Sequence, residues 1–197
     1  MKRGYRAWKQ EISPEPRLLS PSYSSYVWTP GENVSDWPAG EYISSERQKG
    51  YSSGQEEEAF KKSSHGFYSR KRLEDLIKEG YYEPGSSERI AGTIIPYGKV
   101  LEAESGFRSE KAEIAELFED PSVLCEICRR NPVDVLLEVE DTTAHVCNDC
   151  YKKIARALPT GRKEKIKDRS WWEIKKALAS HYQVPLIELP EEFRKLK

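Results

Sequence analysis

The chain of 197 residues carries 32 Lys and Arg against 33 Asp and Glu, with 37% hydrophobic and 33% charged residues. That hydrophobic share is low for a globular protein, yet 5 Trp, 11 Tyr and 5 Phe exclude wholesale disorder and predict small cores built on large rings. No apolar run approaches the roughly 18 residues of a membrane span, and the start MKRGYRAWKQE leads into no apolar stretch, so neither a span nor a secretory signal is expected and the predicted location is cytoplasmic.

Residues 1–118 read as a small α+β domain. In GYRAWKQ, Tyr5 and Ala7 alternate with Arg6 and Trp8, which predicts a strand with one face to bury. SSYVWTPG is a second extended stretch closed by the Pro30-Gly31 turn signal. Residues 33–64 are rich in Ser, Gly, Glu and Lys without periodicity, and are expected to form a long surface loop. Order resumes in HGFYSRKRLEDLIKEGYY, where a strand at 66–68 precedes Leu73, Leu76 and Ile77 at helical spacing, with Gly80 as the stop. RIAGTIIPYGKVLEAESGFRSEKAEIAELF predicts two strands, broken around Pro96-Tyr97-Gly98 and turning at Ser105-Gly106. Arg6 and Arg108 each follow an aromatic residue in these strands. They are expected to be solvent-facing arginines stacked on a ring, or, if their strands pair, to form an anion site.

Residues 119–160 hold every cysteine. Cys125 and Cys128 form one C-x2-C pair and Cys147 and Cys150 a second, with 18 residues between the pairs. Four thiolates at this spacing suit one tetrahedral Zn²⁺, and in a reducing compartment clustered cysteines are metal ligands or redox groups more often than disulfides. VDVLLEV and AHV read as two strands joined by EDTT, and Cys147 and Cys150 lead into the helix YKKIARAL, which must stop before Pro159. A knuckle, a hairpin and a second knuckle at a helix start is the order of a treble-clef zinc finger, the zinc ribbon being the other type with this spacing. Two C-x2-C pairs flanking a hairpin do not fit a redox motif, which calls for one such pair in a βαβ unit. Four thiolates leave no open coordination position for water, so one structural zinc is expected, and no metal-based reaction. His145 could replace a ligand, but the cysteines suffice.

Charge divides unevenly. Residues 51–150 carry 12 Lys and Arg against 21 Asp and Glu, a net of −9; residues 151–197 carry 13 against 6, a net of +7. Residues 161–197 therefore read as a basic helical tail. In it DRSWWEIKKALASHY opens on a capping box, Ser170 with Glu173 three residues on, and sets Trp171, Ile174, Leu178 and Tyr182 on one face. The cations Lys152, Lys153, Arg156, Arg162, Lys163, Lys165, Lys167 and Arg169 are candidate phosphate contacts. The same segment could instead fold back onto the acidic body of the chain.

GYRAW at 4–8, VWTPGE at 27–32, GFYS at 66–69 and IAGTIIPYGKVLEAESGFRSEKA at 90–112 occur in that order. Together they resemble a family of small, largely uncharacterised proteins of bacteriophages and some bacteria. The resemblance covers most of residues 4–115 and is most specific in the closing hairpin. It implies a compact α+β domain, here joined to a four-cysteine zinc module, and a viral or mobile-element source, with the host cytoplasm as location; it supplies no reaction. Relatives carry cysteines and a histidine before the segment matching GFYS, where this chain keeps only His65. YRA and GFYS also faintly resemble ADP-ribosyltransferases, which would make Tyr5, Arg6, Tyr68 and Glu110 carriers of NAD contacts, Arg6 to phosphate and Glu110 to a ribose hydroxyl.

These readings point to a zinc-binding accessory protein that binds a macromolecule. The basic segment favours nucleic acid, and the acidic body with no recognised nucleic-acid motif favours a protein adaptor. An ADP-ribosyltransferase-like enzyme is the third alternative.

Overall fold

The structure, a computed structural model, describes residues 2–12, 16–20, 26–35, 66–139, 142–158 and 166–196. It is a mixed α and β fold, mostly β. Its strands are β1 (Gly4–Glu11), β2 (Arg17–Leu19), β3 (Asn33–Val34), β4 (Phe67–Arg70), β5 (Arg89–Glu102), β6 (Gly106–Glu119), β7 (Val135–Val139), β8 (Thr142–Val146), β9 (Ile166–Ser170) and β10 (Leu186–Glu188). Its helices are α1 (Leu73–Lys78), α2 (Asn148–Ala157), α3 (Trp171–His181) and α4 (Glu191–Arg194). Among the described residues no helix is long and apolar enough to cross a membrane.

Four strands close on themselves. β1 pairs with β4 and with β5, and β6 pairs with the same two strands, all antiparallel, so the ring β1-β4-β6-β5 is a small barrel. β2 adds to β1, β3 to β6, and β10 runs parallel to β6. Closing so small a ring demands strong bending, and β5 and β6 supply it through register shifts at Thr93/Ile94 and Tyr97/Val100. The break predicted at Pro96-Tyr97-Gly98 is the second of these. The chain stays in the strand and bulges, helped by Gly98 at φ +70°. Gly92 has the opposite duty, close approach, because a Cβ there would lie 2.2 Å from Glu116 O and 3.1 Å from the Trp8 ring.

β1 was expected to bury one face and buries both. Trp8 points into the barrel with Leu18, Trp28, Phe67, Ile90 and Ile94. Ala7 and Tyr5 face outward, where Leu73 and Leu76 of α1 cover them with Tyr82 and Phe118. α1 ends at Gly80, whose φ of +74° suits glycine at that stop. The expected loop over 33–64 also needs correction at its start, since Asn33 and Val34 pair with Ala112 and Lys111. Residues 36–64 of that loop, and His65, lie outside the described residues.

β7, β8 and β9 form a separate three-stranded antiparallel sheet in the order β8-β7-β9. One face carries Val135, Leu137, Val139, Ala144 and Val146 against the cysteines and against Tyr151 and Ile154 of α2. The other face presents Leu136, which packs with Val123, Val133 and with Trp171 and Ile174 of α3. α3 then continues into the barrel core with Leu178, Ala179 and Tyr182. The expected stripe of Trp171, Ile174, Leu178 and Tyr182 is therefore buried along its length, half against each β unit. The Ser170 half of the capping box forms as read, with Ser170 Oγ accepting from Glu173 N at 3.4 Å. The segment read as a basic tail thus contributes β9 to the small sheet, and α3 and β10 to the barrel.

Candidate metal centre and basic surface

The first cysteine pair sits in a tight loop. Cys125 N donates to Asn131 O and Arg129 N to Cys125 O, both at 2.8 Å, and Arg129 takes φ +53° to complete the turn. Glu126 N donates to His145 O at 2.9 Å, fastening this loop to β8. The second pair opens α2. Cys147 is the residue before the first helical turn and Cys150 lies within that turn, while Asp134 Oδ2 accepts from Asn148 N at 2.9 Å.

The hairpin brings the two loops together. The four sulfurs of Cys125, Cys128, Cys147 and Cys150 lie within 4.8 Å of one another, and those of Cys128 and Cys147 are 3.8 Å apart. That is too long for a disulfide, at about 2.05 Å. It equals the edge of a tetrahedron with metal–sulfur bonds of about 2.3 Å, roughly 3.8 Å. The four cysteines form a group that could hold one metal ion.

The electrostatics of the group point the same way. Backbone N–H groups of Asn131 and Arg130 lower the Cys128 thiol to about 6. At Cys125 burial acts upward, but N–H groups of Cys128, Cys147 and Ile127 outweigh it and the thiol falls below its ordinary value. Cys150 is pushed up to about 12, by burial first and then by hydrogen bonds with the other thiols. Four sulfurs this close cannot all be thiolates in a buried site without a cation among them. Asn131 Nδ2 lies 3.7 Å from Cys147 Sγ as a further donor to sulfur.

His145 stands outside this group. Its Nδ1 meets Glu126 Oε1 at 2.7 Å and its ring lies edge-on to Trp171 at 4.8 Å, on the far face of the sheet.

The candidate phosphate contacts fare differently. Lys152, Lys153 and Arg156 are exposed on one side of α2, opposite the side that carries Cys150 and Ile154. Among the described residues none of the three forms an ion pair. Lys167 is exposed on β9. Arg169 is committed elsewhere, its Nη2 donating to Glu138 Oε1 at 2.7 Å and to Ile12 O at 3.3 Å. Arg162, Lys163 and Lys165 lie outside the described residues. Two cations not singled out from the sequence join the set: Arg129 and Arg130, exposed in the first cysteine loop and without an ion pair among the described residues. Their position directly after C-x2-C was the available signal, masked by the acidic average of residues 51–150.

The arginines of the barrel do not form one anion site. Arg6 stacks on Phe67 and Arg108 on Tyr68, at 6.0 and 5.9 Å from the ring centroids. Phe67 and Tyr68 are consecutive in β4 and project from opposite faces, so the two guanidiniums do as well. The solvent-facing position expected of both also needs correction, because both are buried. Arg6 likewise points away from the face that carries Tyr68, Arg108 and Glu110, which separates it from its companions under the ADP-ribosyltransferase reading.

No family model, curated protein or solved structure matches the chain.

Proposed function

We propose that the protein is a zinc-binding accessory protein whose treble-clef-like module holds nucleic acid by its phosphates. One structural Zn²⁺ occupies the four cysteines, ties the two loops together and performs no chemistry. The observation that carries the nucleic-acid reading is the set of five exposed cations, Arg129, Arg130, Lys152, Lys153 and Arg156, with no ion pair among the described residues. All five belong to the two segments that close on the sulfurs, so the metal fixes both carriers of charge. Such contacts position a protein on a phosphate backbone without reading bases.

The test is a fluorescence titration of the zinc-loaded protein with short duplex and single-stranded oligonucleotides at several salt concentrations. Binding should weaken with log salt by about 0.9 per phosphate contact on duplex and about 0.7 on single strands. Changing Lys152, Lys153 and Arg156 together to Glu should reduce that slope by about 2.7 on duplex and weaken all sequences alike. No binding tighter than about 100 μM at low salt, the weak end of nonspecific contacts, would remove nucleic acid from consideration.

A protein partner is the second reading. Ile127, 60% exposed, and Leu124, 39% exposed, stand on the outer surface of the first cysteine loop beside the two arginines. An apolar tip ringed by charge suits a protein surface, and failure of the oligonucleotide titration would leave this adaptor role as the function.

A further inference from the structure

Among the described residues, the inner wall of the barrel holds a guanidinium with no carboxylate against it. Arg6 is 8% exposed. Its Nη1 donates to Tyr68 O and its Nη2 to Ser20 Oγ at 3.1 Å, while its plane lies over Trp28, 5.0 Å from the ring centroid. Burial lowers its pKa to about 10, with Tyr26 and Tyr81 acting the other way. Among the described residues two of the five N–H bonds are therefore used, and Nε is buried without a partner.

Two further donors on this wall share that condition. Ser69 Oγ and Ser109 Oγ are buried and, among the described residues, unpartnered. Tyr5 opposite Arg70 sets Arg6 opposite Ser69 on the same face. Phe67 opposite Ser109 and Ser69 opposite Phe107 make the two serines diagonal neighbours, roughly 7 Å apart at the backbone. The bare Cα of Gly4 makes room for the Ser69 hydroxyl itself, since a Cβ there would lie 2.2 Å from Ser69 Oγ. The indole N–H groups of Trp8 and Trp28 are in the same cluster, but these rings meet edge to face at 5.5 Å, where one ring can accept from the other.

A buried donor without an acceptor is costly, and a buried cation without a counter-charge more so. One kind of ligand answers both. The Nε and Nη2 hydrogens of an arginine form a fork that takes two oxygens of one anion. The two hydroxyls can then donate to its remaining oxygens, which a planar carboxylate lacks. We propose that Arg6, Ser69 and Ser109 form an internal site for a tetrahedral oxyanion of the phosphate or sulfate class, either free or as the terminal group of a small ester.

Crystals grown in sodium selenate, a tetrahedral oxyanion with an anomalous scatterer, should show an anomalous peak within hydrogen-bond distance of Arg6 Nε. Water density alone bridging the three donors would overturn the site. In solution, phosphate titrated at constant ionic strength should raise the melting temperature of the zinc-loaded protein by several degrees and then saturate. The rise should vanish in Arg6→Met and in the double variant Ser69→Ala, Ser109→Ala. Should Arg6→Met not fold, the serine variant decides, because it removes only two hydroxyls. A rise that does not saturate, or that the serine variant shares, is a general effect of an excluded salt and rules the site out. The same saturable rise with methyl phosphate identifies a phosphoryl ester as a ligand, and a rise with inorganic phosphate alone confines the site to the free anion.

Discussion

Lys175 Nζ donates to Gln10 Oε1 at 2.5 Å, joining α3 to β1 across the seam between the barrel and the small sheet. The lysine is buried, its ammonium stands 4.3 Å from the Trp171 ring centroid, and Glu119 and Asp120 act on it from further away. Burial pushes its pKa down from 10.5 to about 7, the two carboxylates only partly opposing it.

A pH dependence follows from that depression. Between about 7 and 10.5 the unfolded chain binds a proton that the folded chain does not, so stability should rise with pH across this window, by up to about 1.4 kcal/mol per unit. Lys175→Met keeps most of the packing and removes the proton. Urea unfolding of the two zinc-loaded proteins at pH 7.5 and 9.5 should show a smaller rise in the variant; equal rises would mean that Lys175 is not the group responsible.

Tyr182 predicts a local cost. Its hydroxyl donates to Trp28 O at 2.9 Å and accepts from Leu18 N at 3.0 Å, both inside the barrel core. Tyr182→Phe leaves a buried N–H and a buried carbonyl without that partner, and should destabilise by about 1–3 kcal/mol. The shift in urea midpoint at unchanged slope measures it.

Gly92→Ala should be worse than any ordinary glycine substitution in a strand. The added methyl would meet a backbone carbonyl at 2.2 Å, on the strand paired with it, and the Trp8 ring on the other side. Neither can yield without opening the β5–β6 ladder, so a loss of roughly 3 kcal/mol or more is expected. A thermal melt within a few degrees of the unaltered protein would contradict it.

Metal content supplies the last expectation. Protein never exposed to chelator should hold one zinc per chain by elemental analysis. Removing it, or changing Cys125 to Ser, should release the β7–β8–β9 sheet first, because one face of β7 and β8 packs on the cysteines. The loss should then reach the barrel through α3, as faster amide exchange at Leu178 and Tyr182. Barrel amides that exchange at an unchanged rate would show that α3 does not transmit it.

What the sequence determined by itself was local chemistry. Two C-x2-C pairs, the alternation of the hairpin between them, Ser170 with Glu173, and Gly80 after Leu76 and Ile77 each depend on residues a few positions apart, where periodicity and ligand spacing act directly. Tertiary structure alone decided what lies between distant segments. Closure of the barrel needs β1 to meet both β4 and β5, 60 to 90 residues further on, and no local pattern encodes which edges will join. The same holds for Arg6, which the pattern of β1 assigns to an exposed face and the closed ring buries. It holds again for α3: its apolar stripe foretold a buried face, but only packing showed that one half of the stripe serves the sheet beside the four cysteines and the other half fills the barrel. Burial is set by what the rest of the chain brings to a surface, and a sequence read in windows sees only the surface.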